Sequence, residues 1–268
     1  MYKRQVLSDL APAATYIASL YNHTIDTNKF DADFHRILNK VLKECSWMYE
    51  TTPERSEQAS LFGSNKAHVV YTVWSDVFIC PHCGEEVIFW DHGVDHETGG
   101  VKDSFKCPKC GLEMTKKGSK RAVTSIFDDQ LGAVTQIGKQ VPVLIAYEDS
   151  TGEHLKKPDD EDLALIEKIE SLTIPYWVPV HKTPNGFNTE QPRRSHGINY
   201  VHQFFTKRSL YVIAALWDEI ERCDTDKESK IALKAVITGV MMGVSKLQRF
   251  RLNSTFPNIC LLYTSPSP

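Results

Sequence analysis

Near its start, the chain has a short apolar run followed directly by a helical pattern. Residues 6–10, VLSDL, predict a short buried strand that ends in an acid, Asp9. Pro12 then stands where a helix tolerates proline in its first turn, and residues 13–21 are good helix formers. The pattern therefore predicts a strand followed directly by a helix, as in one unit of a nucleotide-binding α/β fold.

A second helix follows. Apolar residues recur at helical spacing from Phe34 to Cys45, which places them on one face of an amphipathic helix. Asp31 or Asp33 would cap its amino end. Residues 53–67 are polar and predict a linker.

The middle of the chain predicts strands. Residues 69–80 are rich in β-branched and aromatic side chains, and residues 86–95 and 101–106 predict two more strands joined by the Thr-Gly-Gly turn at 98–100. Residues 122–150 predict short strands separated by glycines. This part of the chain is therefore expected to be β-rich.

Helical periodicity returns in the last third. The acidic run before residues 160–171 predicts a capped helix, and residues 173–192 form a proline-rich stretch that predicts a loop. Thr206 would cap a helix that runs to Cys223, and residues 228–247 predict a further, largely buried helix.

Composition narrows the class of protein. The chain has 268 residues, of which 41% are hydrophobic, and a formal net charge of −3. This balance excludes a disordered chain and a uniformly basic nucleic-acid coat. We find neither a signal peptide nor an apolar run long enough to span a membrane, so we expect a cytoplasmic protein with no membrane partner.

The cysteines carry the clearest chemistry. Two knuckles, CPHCG at 80–84 and CPKCG at 107–111, stand 23 residues apart. Zinc takes four soft ligands at tetrahedral corners, and a glycine after each pair allows the turn that aims amides at sulfur. A thioredoxin-like redox pair is the alternative, but two copies favour structural Zn²⁺. Four cysteines would close the metal shell and leave no catalytic position. The predicted ligands are Cys80, Cys83, Cys107 and Cys110.

Other candidate ligands are weaker. His92 and His96 flank Asp95, which predicts either a second metal or, more simply, a solvated hairpin tip. Cys45 and Cys223 lie on apolar helix faces and are expected to be inert core thiols.

Asp9 has two interpretations. An acid that closes the second strand of a nucleotide-binding α/β fold accepts hydrogen bonds from a ribose. A Ser-Asp helix cap has the same letters, so the residues alone leave both open.

Both ends of the chain match translations of a transposase sequencing adapter. The opening MYKRQ, residues 1–5, fits one adapter strand and CLLYTSPSP, residues 260–268, fits the other. We therefore expect residues 6–259 to be the interior of a longer gene.

Four blocks resemble a known family. VLSDLAPAATYIASLYN, KECSWMYET, YTVWSDVFICPHCGEEVIFW and GFNTEQPRRSHGINYVHQFFTKRSLYVIAAL are similar to the interior of large adenine-specific DNA methyltransferases that carry a zinc ribbon. The resemblance implies transfer of a methyl group from S-adenosylmethionine to adenine N6 in DNA. It also implies that Asp9 lies beside the cofactor, that Pro12 shapes the adjacent turn, and that the four cysteines bind zinc.

The fold class implied is α/β, a partial Rossmann-like methyltransferase domain with an inserted β-rich zinc ribbon and helical segments. The expected divisions are 6–52 for the methyltransferase core, 68–125 for the ribbon, 126–190 for a strand and loop insert with one helix, and 191–259 for a helical segment returning toward the core.

Two family motifs have no match in the chain. These are the glycine-rich cofactor loop, D-P-F-x-G-x-G, and the catalytic loop, [DN]-P-P-[YF], which holds the flipped base. The nearest string, Ile174 to Trp177, lacks the polar residue and the second proline. We assign no catalytic residue and expect the chain to be inactive by itself.

The expected partners are double-stranded DNA and, for such enzymes, a restriction nuclease. Residues 102–121 carry seven basic and two acidic side chains, and residues 193–208 carry four basic and no acidic ones. A solvated surface is the alternative explanation for these charges, and a non-enzymatic zinc-ribbon nucleic-acid-binding module is the alternative function. The predicted phosphate contacts are Lys116, Lys117, Arg193, Arg194, Lys207 and Arg208.

Overall fold

The computed structural model describes residues 10–22, 24–54, 66–248 and 250. Most of the predicted first strand, including Asp9, lies outside them. The helices are α1 Pro12–Leu20, α2 Thr27–Cys45, α3 Phe89–Gly93, α4 Asp160–Glu170, α5 Phe187–His196, α6 Lys207–Arg222 and α7 Lys227–Val240, with short 3₁₀ helices at Ser46–Tyr49 and Val201–Phe204. The strands are β1 Glu50–Thr51, β2 Ala67–Ile79, β3 Glu86–Ile88, β4 Ser104–Lys106, β5 Glu113–Thr115, β6 Lys120–Arg121, β7 Val123–Asp128, β8 Ala133–Gly138, β9 Gln140–Asp149 and β10 Gly152–Lys156.

The long strand β2 organises the β-structure. Its first part pairs with β1 and β9, and β9 pairs with β10. Its last residues, from Val77, pair with β3 and β6. Register shifts at Val69/Tyr71 and Val73/Trp74 curl the strand, because each irregularity increases the local twist. One strand therefore belongs both to the central sheet and to the cysteine-bearing segment.

The β-branched residues of β2 explain its burial. Val69, Val73 and Val77 are all buried, and they lie at even spacing along the strand. The even spacing directs Val73 and Val77 to the same side of the pleated sheet, whereas the register shift at Val69/Tyr71 separates Val69 from them. β-branched side chains pack well on such a surface.

All strand pairs within the described ranges are antiparallel. The structure confirms a mixed α/β chain with a β-rich cysteine segment. The Rossmann-like part of the predicted fold class concerns a strand outside those ranges and stays a prediction.

The helices form a separate layer. Helices α2, α6 and α7 pack around Ile37, Ile220, Leu233 and Ile237. Helix α1 joins this layer through the Tyr16 hydroxyl, which donates to the Ile231 carbonyl over 3.2 Å. Within the described ranges, no helix combines the length and apolar composition needed to cross a membrane.

Several element predictions are confirmed. Helices α1, α4 and α6 lie where the pattern placed them, and Thr206 caps α6 by accepting from the Ser209 N–H. Asp159 caps α4 in a capping box with Asp162. Helices α4 and α6 therefore begin where a short polar side chain meets the first backbone N–H groups, whereas α1 begins at Pro12 without a side-chain cap.

Other boundaries were wrong. Asp26, five residues before Asp31 and seven before Asp33, caps α2 by accepting from the N–H groups of Asn28 and Lys29. The predicted strand at 86–95 stops at Ile88 and continues as the short helix α3.

Two further differences lie in the last third of the chain. Helix α5 begins inside the predicted loop, at Phe187, and continues beyond it to His196, and α7 ends at Val240 rather than near residue 247. The residues beyond Val240 turn back, so that Lys246 donates its N–H to the Phe204 carbonyl over 2.7 Å.

Candidate metal centre

Each cysteine pair forms the same turn. After β2, the Cys80 N–H donates to the Glu85 carbonyl over 2.8 Å, and the Gly84 N–H donates back to the Cys80 carbonyl over 2.9 Å. Gly84 has a φ of +73°, a left-handed conformation that glycine adopts without a Cβ penalty. The glycine following the pair is therefore required by the backbone of the turn.

The second turn repeats the first. The Cys107 N–H donates to the Leu112 carbonyl over 2.9 Å, and the Gly111 N–H donates to the Cys107 carbonyl over 3.0 Å. Gly111 has a φ of +72°. The repeated C-P-x-C-G letters thus produce two equivalent knuckles.

The two knuckles bring four sulfurs together. The Sγ atoms of Cys80 and Cys110 lie 3.6 Å apart, as do those of Cys83 and Cys107. All four Sγ atoms lie within 4.8 Å of one another. A tetrahedral zinc with Zn–S bonds of about 2.3 Å requires sulfurs roughly 3.8 Å apart. The donor set and its spacing are therefore compatible with one zinc ion.

A small apolar core supports the knuckles. Cys80 and Cys107 are buried, Cys83 is half-buried and Cys110 is exposed. The core residues beneath them include three aromatic rings, of which Phe89 and Phe105 meet edge to face at 5.4 Å. The members of this ribbon core are Phe78, Cys80, Val87, Phe89, Phe105, Cys107 and Met114.

The thiols are electrostatically unequal. Backbone N–H groups of Cys83 and His82 lower the pKa of Cys80 to about 6 and favour its thiolate. The Glu85 N–H has the same effect on Cys83, but burial and hydrogen bonds with the other thiols prevail and raise its pKa to about 12. Metal binding would release the protons that the remaining thiols hold.

The predicted ribbon lysines lie on its surface. The ammonium of Lys116 lies 4.7 Å from the centroid of the Phe89 ring, and Lys117 is exposed. Lys109 forms an ion pair of 2.8 Å with Glu85. The basic excess of this segment is therefore partly neutralised within the chain.

The two predicted arginines of α5 differ. The guanidinium of Arg193 donates to the Thr183 carbonyl over 3.1 Å and to Glu190 over 3.0 Å, so it fastens the helix to the preceding loop. Arg194 is 76% exposed and pairs with Glu190 over 3.4 Å. Of the two, Arg194 is the one whose guanidinium faces solvent.

Asp76 joins the ribbon to α5. It accepts from Arg121 Nε over 2.9 Å and from Gln140 Nε2 over 3.0 Å, and its Oδ1 lies 3.4 Å from His196 Nε2. Burial raises the pKa of Asp76, but hydrogen bonding by His196 and the charge of Arg121 prevail and hold it well below its usual range. The sequence did not predict this junction, because its partners come from three distant elements.

Lys207 and Arg208 contact other parts of the chain. Lys207 forms an ion pair with Asp129, which follows β7. The guanidinium of Arg208 lies 5.2 Å from the centroid of the Tyr49 ring. Both residues begin α6, and each side chain has a partner within the chain.

The cofactor-binding predictions fall at the edge of the described chain. Pro12 is the first residue of α1, as expected, and it is exposed. Asp9 lies outside the described residues, so both interpretations of its role stay predictions.

The remaining candidate ligands lie apart from the quartet. Within the part of the chain that the structure describes, the four cysteines form the one group at metal-binding separation, and neither His92 nor His96 belongs to it. His96 instead meets the Trp90 ring at 5.0 Å. Burial raises the pKa of Cys45 to about 11, which is consistent with an inert core thiol.

The fold and site define a mixed α/β protein with a curled antiparallel sheet and a clustered cysteine quartet. No family model, curated protein or solved structure matches the chain.

Proposed function

We propose that the cysteine quartet binds one structural Zn²⁺ and that the resulting ribbon belongs to a DNA-binding protein. The single observation that carries the metal assignment is the mutual approach of four thiol sulfurs within 4.8 Å. Zinc binding of this kind stabilises a small domain by roughly 10–16 kcal/mol. The small ribbon core is therefore expected to depend on the metal.

The support for DNA binding is the charge on the ribbon surface. Lys102, Lys106, Lys117 and Lys120 are exposed. Exposed lysines bind phosphates without reading sequence, and each such contact adds to the salt dependence of binding. Through Asp76 and His196, the ribbon also lies close to α5, which carries Arg194. We propose that these side chains face one nucleic-acid surface.

We further propose that the chain derives from an adenine-specific DNA methyltransferase. The support is the resemblance of four sequence blocks, including the D-L-A-P-A stretch in which Asp9 would lie beside S-adenosylmethionine. That cofactor supplies the methyl group. A restriction nuclease as partner rests on the same resemblance.

The wider proposal is tested on the uninterrupted gene. We expect a glycine-rich loop encoded before residue 6, a [DN]-P-P-[YF] loop after residue 259, and labelled methyl incorporation into adenine by the complete protein. The present chain alone should give no incorporation above background. A complete gene with neither loop would leave only the non-enzymatic zinc-ribbon module.

DNA binding is tested on the present chain. We expect fluorescence anisotropy with a 20-base-pair duplex to show binding that Lys106→Gln with Lys117→Gln weakens, and a salt slope that falls by about one for each lost phosphate contact. Lys43→Gln, an exposed lysine of α2, is the matched control and should bind as the unaltered chain does. Equal binding by all variants would contradict the proposal.

A further inference from the structure

A cleft lies between α6 and the loop that joins α4 to α5. Its volume is about 310 Å³, and it is lined by Trp177, Ala214, Trp217, Asp218 and Glu221. The last four of these residues share one face of α6, because they stand three or four positions apart along the helix. Ligand pockets have volumes of roughly 300–1,000 Å³, so the cleft has room for a small organic group.

The loop fixes the position of Trp177 although this side chain is 64% exposed. Its neighbours Ile174 and Val178 are buried, and they pack in one cluster with Ala214 of α6. An anchored backbone therefore presents a large indole to solvent. Because Trp177 also lines a cleft with a second indole, that of Trp217, its exposure indicates a binding surface rather than an isolated apolar residue.

The lining of the cleft includes two acids and no base. These acids are Asp218 and Glu221. Oδ2 of Asp218 is buried and accepts no hydrogen bond from the described residues, although Arg222 Nε lies 3.0 Å away as an ion pair. The guanidinium side chain of Arg222 is 70% exposed, so this pair contributes little and is readily exchanged. A buried carboxylate oxygen without a donor favours the binding of a positively charged group.

The chain itself shows how an ammonium group binds side chains of this kind. Lys234 Nζ lies 4.9 Å from the centroid of the Trp217 ring and 2.5 Å from Glu221 Oε1. One indole face and one carboxylate thus hold an ammonium together, and the indole face is the strongest aromatic partner for a cation. Trp177 and Asp218 supply the same two kinds of group to the cleft.

We propose that this cleft binds a small organic ammonium ion, with the indole rings of Trp177 and Trp217 against its alkyl groups and Asp218 as its counter-ion. Arg222 competes with the ligand for Asp218, and its exposed guanidinium turns into solvent when the ligand binds. The two acids of the lining disfavour an anion such as a DNA phosphate. The site is therefore independent of the proposed DNA binding and of the metal in the ribbon.

Titration of the full chain with choline tests the site. The control ligand is the uncharged analogue of choline in which a tert-butyl group replaces the trimethylammonium group. The chain has five tryptophans, whose indole N–H signals in NMR spectra report binding directly. Choline should shift the signals of Trp177 and Trp217, and the signal of Trp177 is identified by its loss in Trp177→Phe. The uncharged analogue should bind about tenfold more weakly, because it lacks the charge that the rings and Asp218 attract.

Variants of the lining test the role of each group. Trp177→Ala should weaken choline binding about fivefold and Asp218→Asn about tenfold, because they remove an indole face and the counter-ion. Arg222→Gln should instead tighten binding several-fold, because it frees Asp218 from its competing cation. Asp91→Asn, which neutralises an exposed acid of α3, is the matched control and should bind as the unaltered chain does.

The opposite effects expected for Asp218→Asn and Arg222→Gln separate binding from folding. If their ion pair had only a structural role, neither variant would bind choline more tightly, and thermal unfolding identifies any loss of stability. Equal binding of choline and its uncharged analogue would overturn the inference, as would choline binding that Arg222→Gln leaves unchanged or weakens. Duplex binding by the ribbon variants tests the proposed function separately, so either proposal can fail without the other.

Discussion

Asp76 is the residue at which the ribbon meets the rest of the molecule, and its charge is held by three partners. Because its folded pKa lies below that of an unfolded carboxyl, about 3.9, the stability it contributes is present above that value and declines as the pH falls below it. Asp76→Asn should therefore lower the free energy of unfolding at pH 7 by about 1–3 kcal/mol. Urea unfolding should show a smaller difference from the unaltered chain at pH 3, and an equal loss at both pH values would contradict the assigned charge.

Lys156 is a fully buried cation whose partners come from two elements. Its ammonium pairs with Asp159 and Asp162 at 2.6 and 2.7 Å and donates to the Thr52 carbonyl over 2.8 Å. Burial lowers its pKa, but the two carboxylates prevail and raise it. The stability that this cation contributes is thus present at neutral pH and lost as the pH rises through the raised value.

Lys156→Met should destabilise the chain by about 3–5 kcal/mol, because it leaves the buried carboxylate of Asp162 without its cation. Lys66→Met is the control, since Lys66 pairs with Glu50 at the surface, and it should cost less than about 1 kcal/mol. The measurement is urea unfolding at pH 7, and similar losses in the two variants would argue against a buried pair.

The sequence predicts the role of some residues but not the contacts of others. The four cysteines are predictable because their chemistry requires a short local spacing that the letters display. The partners of Asp76 are not, because Arg121, Gln140 and His196 meet it only after the sheet has curled. Local patterns thus identify candidate ligands on tight turns but not contacts assembled by the fold.

At the scale of elements, Gly197 ends α5 in a conformation that other residues avoid. Its φ is +70°, and a Cβ at this position would lie 2.5 Å from the backbone oxygen of Gln136. Gly197→Ala should destabilise the chain by about 2 kcal/mol or more, since left-handed backbone strain and a contact with backbone atoms of β8 add together.

Gly239 provides the matched control. It lies in α7, and outside the backbone of that helix no atom comes within 4 Å of the position that a Cβ would occupy. Gly239→Ala should therefore stabilise the chain by up to about 1 kcal/mol. Thermal unfolding measures both variants. A Gly197→Ala chain as stable as the unaltered one would contradict the close packing of α5 on β8.

Helix α5 forms partly where the sequence pattern predicted a loop, at residues 173–192. Its sequence contains Pro192 and follows Gly186, which is typical of a loop. The helix forms because Arg193 binds carbonyls of the preceding segment and because its carboxyl end packs against β8. Tertiary contacts thus outweigh local propensity here, whereas α4 and α6 carry their own caps and follow their patterns.

At the scale of the whole molecule, the ribbon core and the helical layer are separate clusters. The ribbon core centres on Phe78 and Phe105, and the helical layer centres on Ile37 and Ile237. Because the ribbon core is small and stands apart, it requires another source of stability, which a bound metal would supply. DNA binding by the ribbon surface and the origin of the chain from a methyltransferase are proposals. The first rests on the exposed lysines of the ribbon, and the second rests on the resemblance of four sequence blocks.

The most direct test of the central claim is the zinc content of the full chain, measured by mass spectrometry of the purified protein. One zinc per chain is expected, and Cys107→Ser should reduce it toward none because three thiolates hold zinc far less tightly. Cys45→Ser, a buried cysteine outside the quartet, should keep one zinc. An intact chain without zinc, or a Cys107→Ser chain that keeps it in full, would contradict the assignment of the quartet.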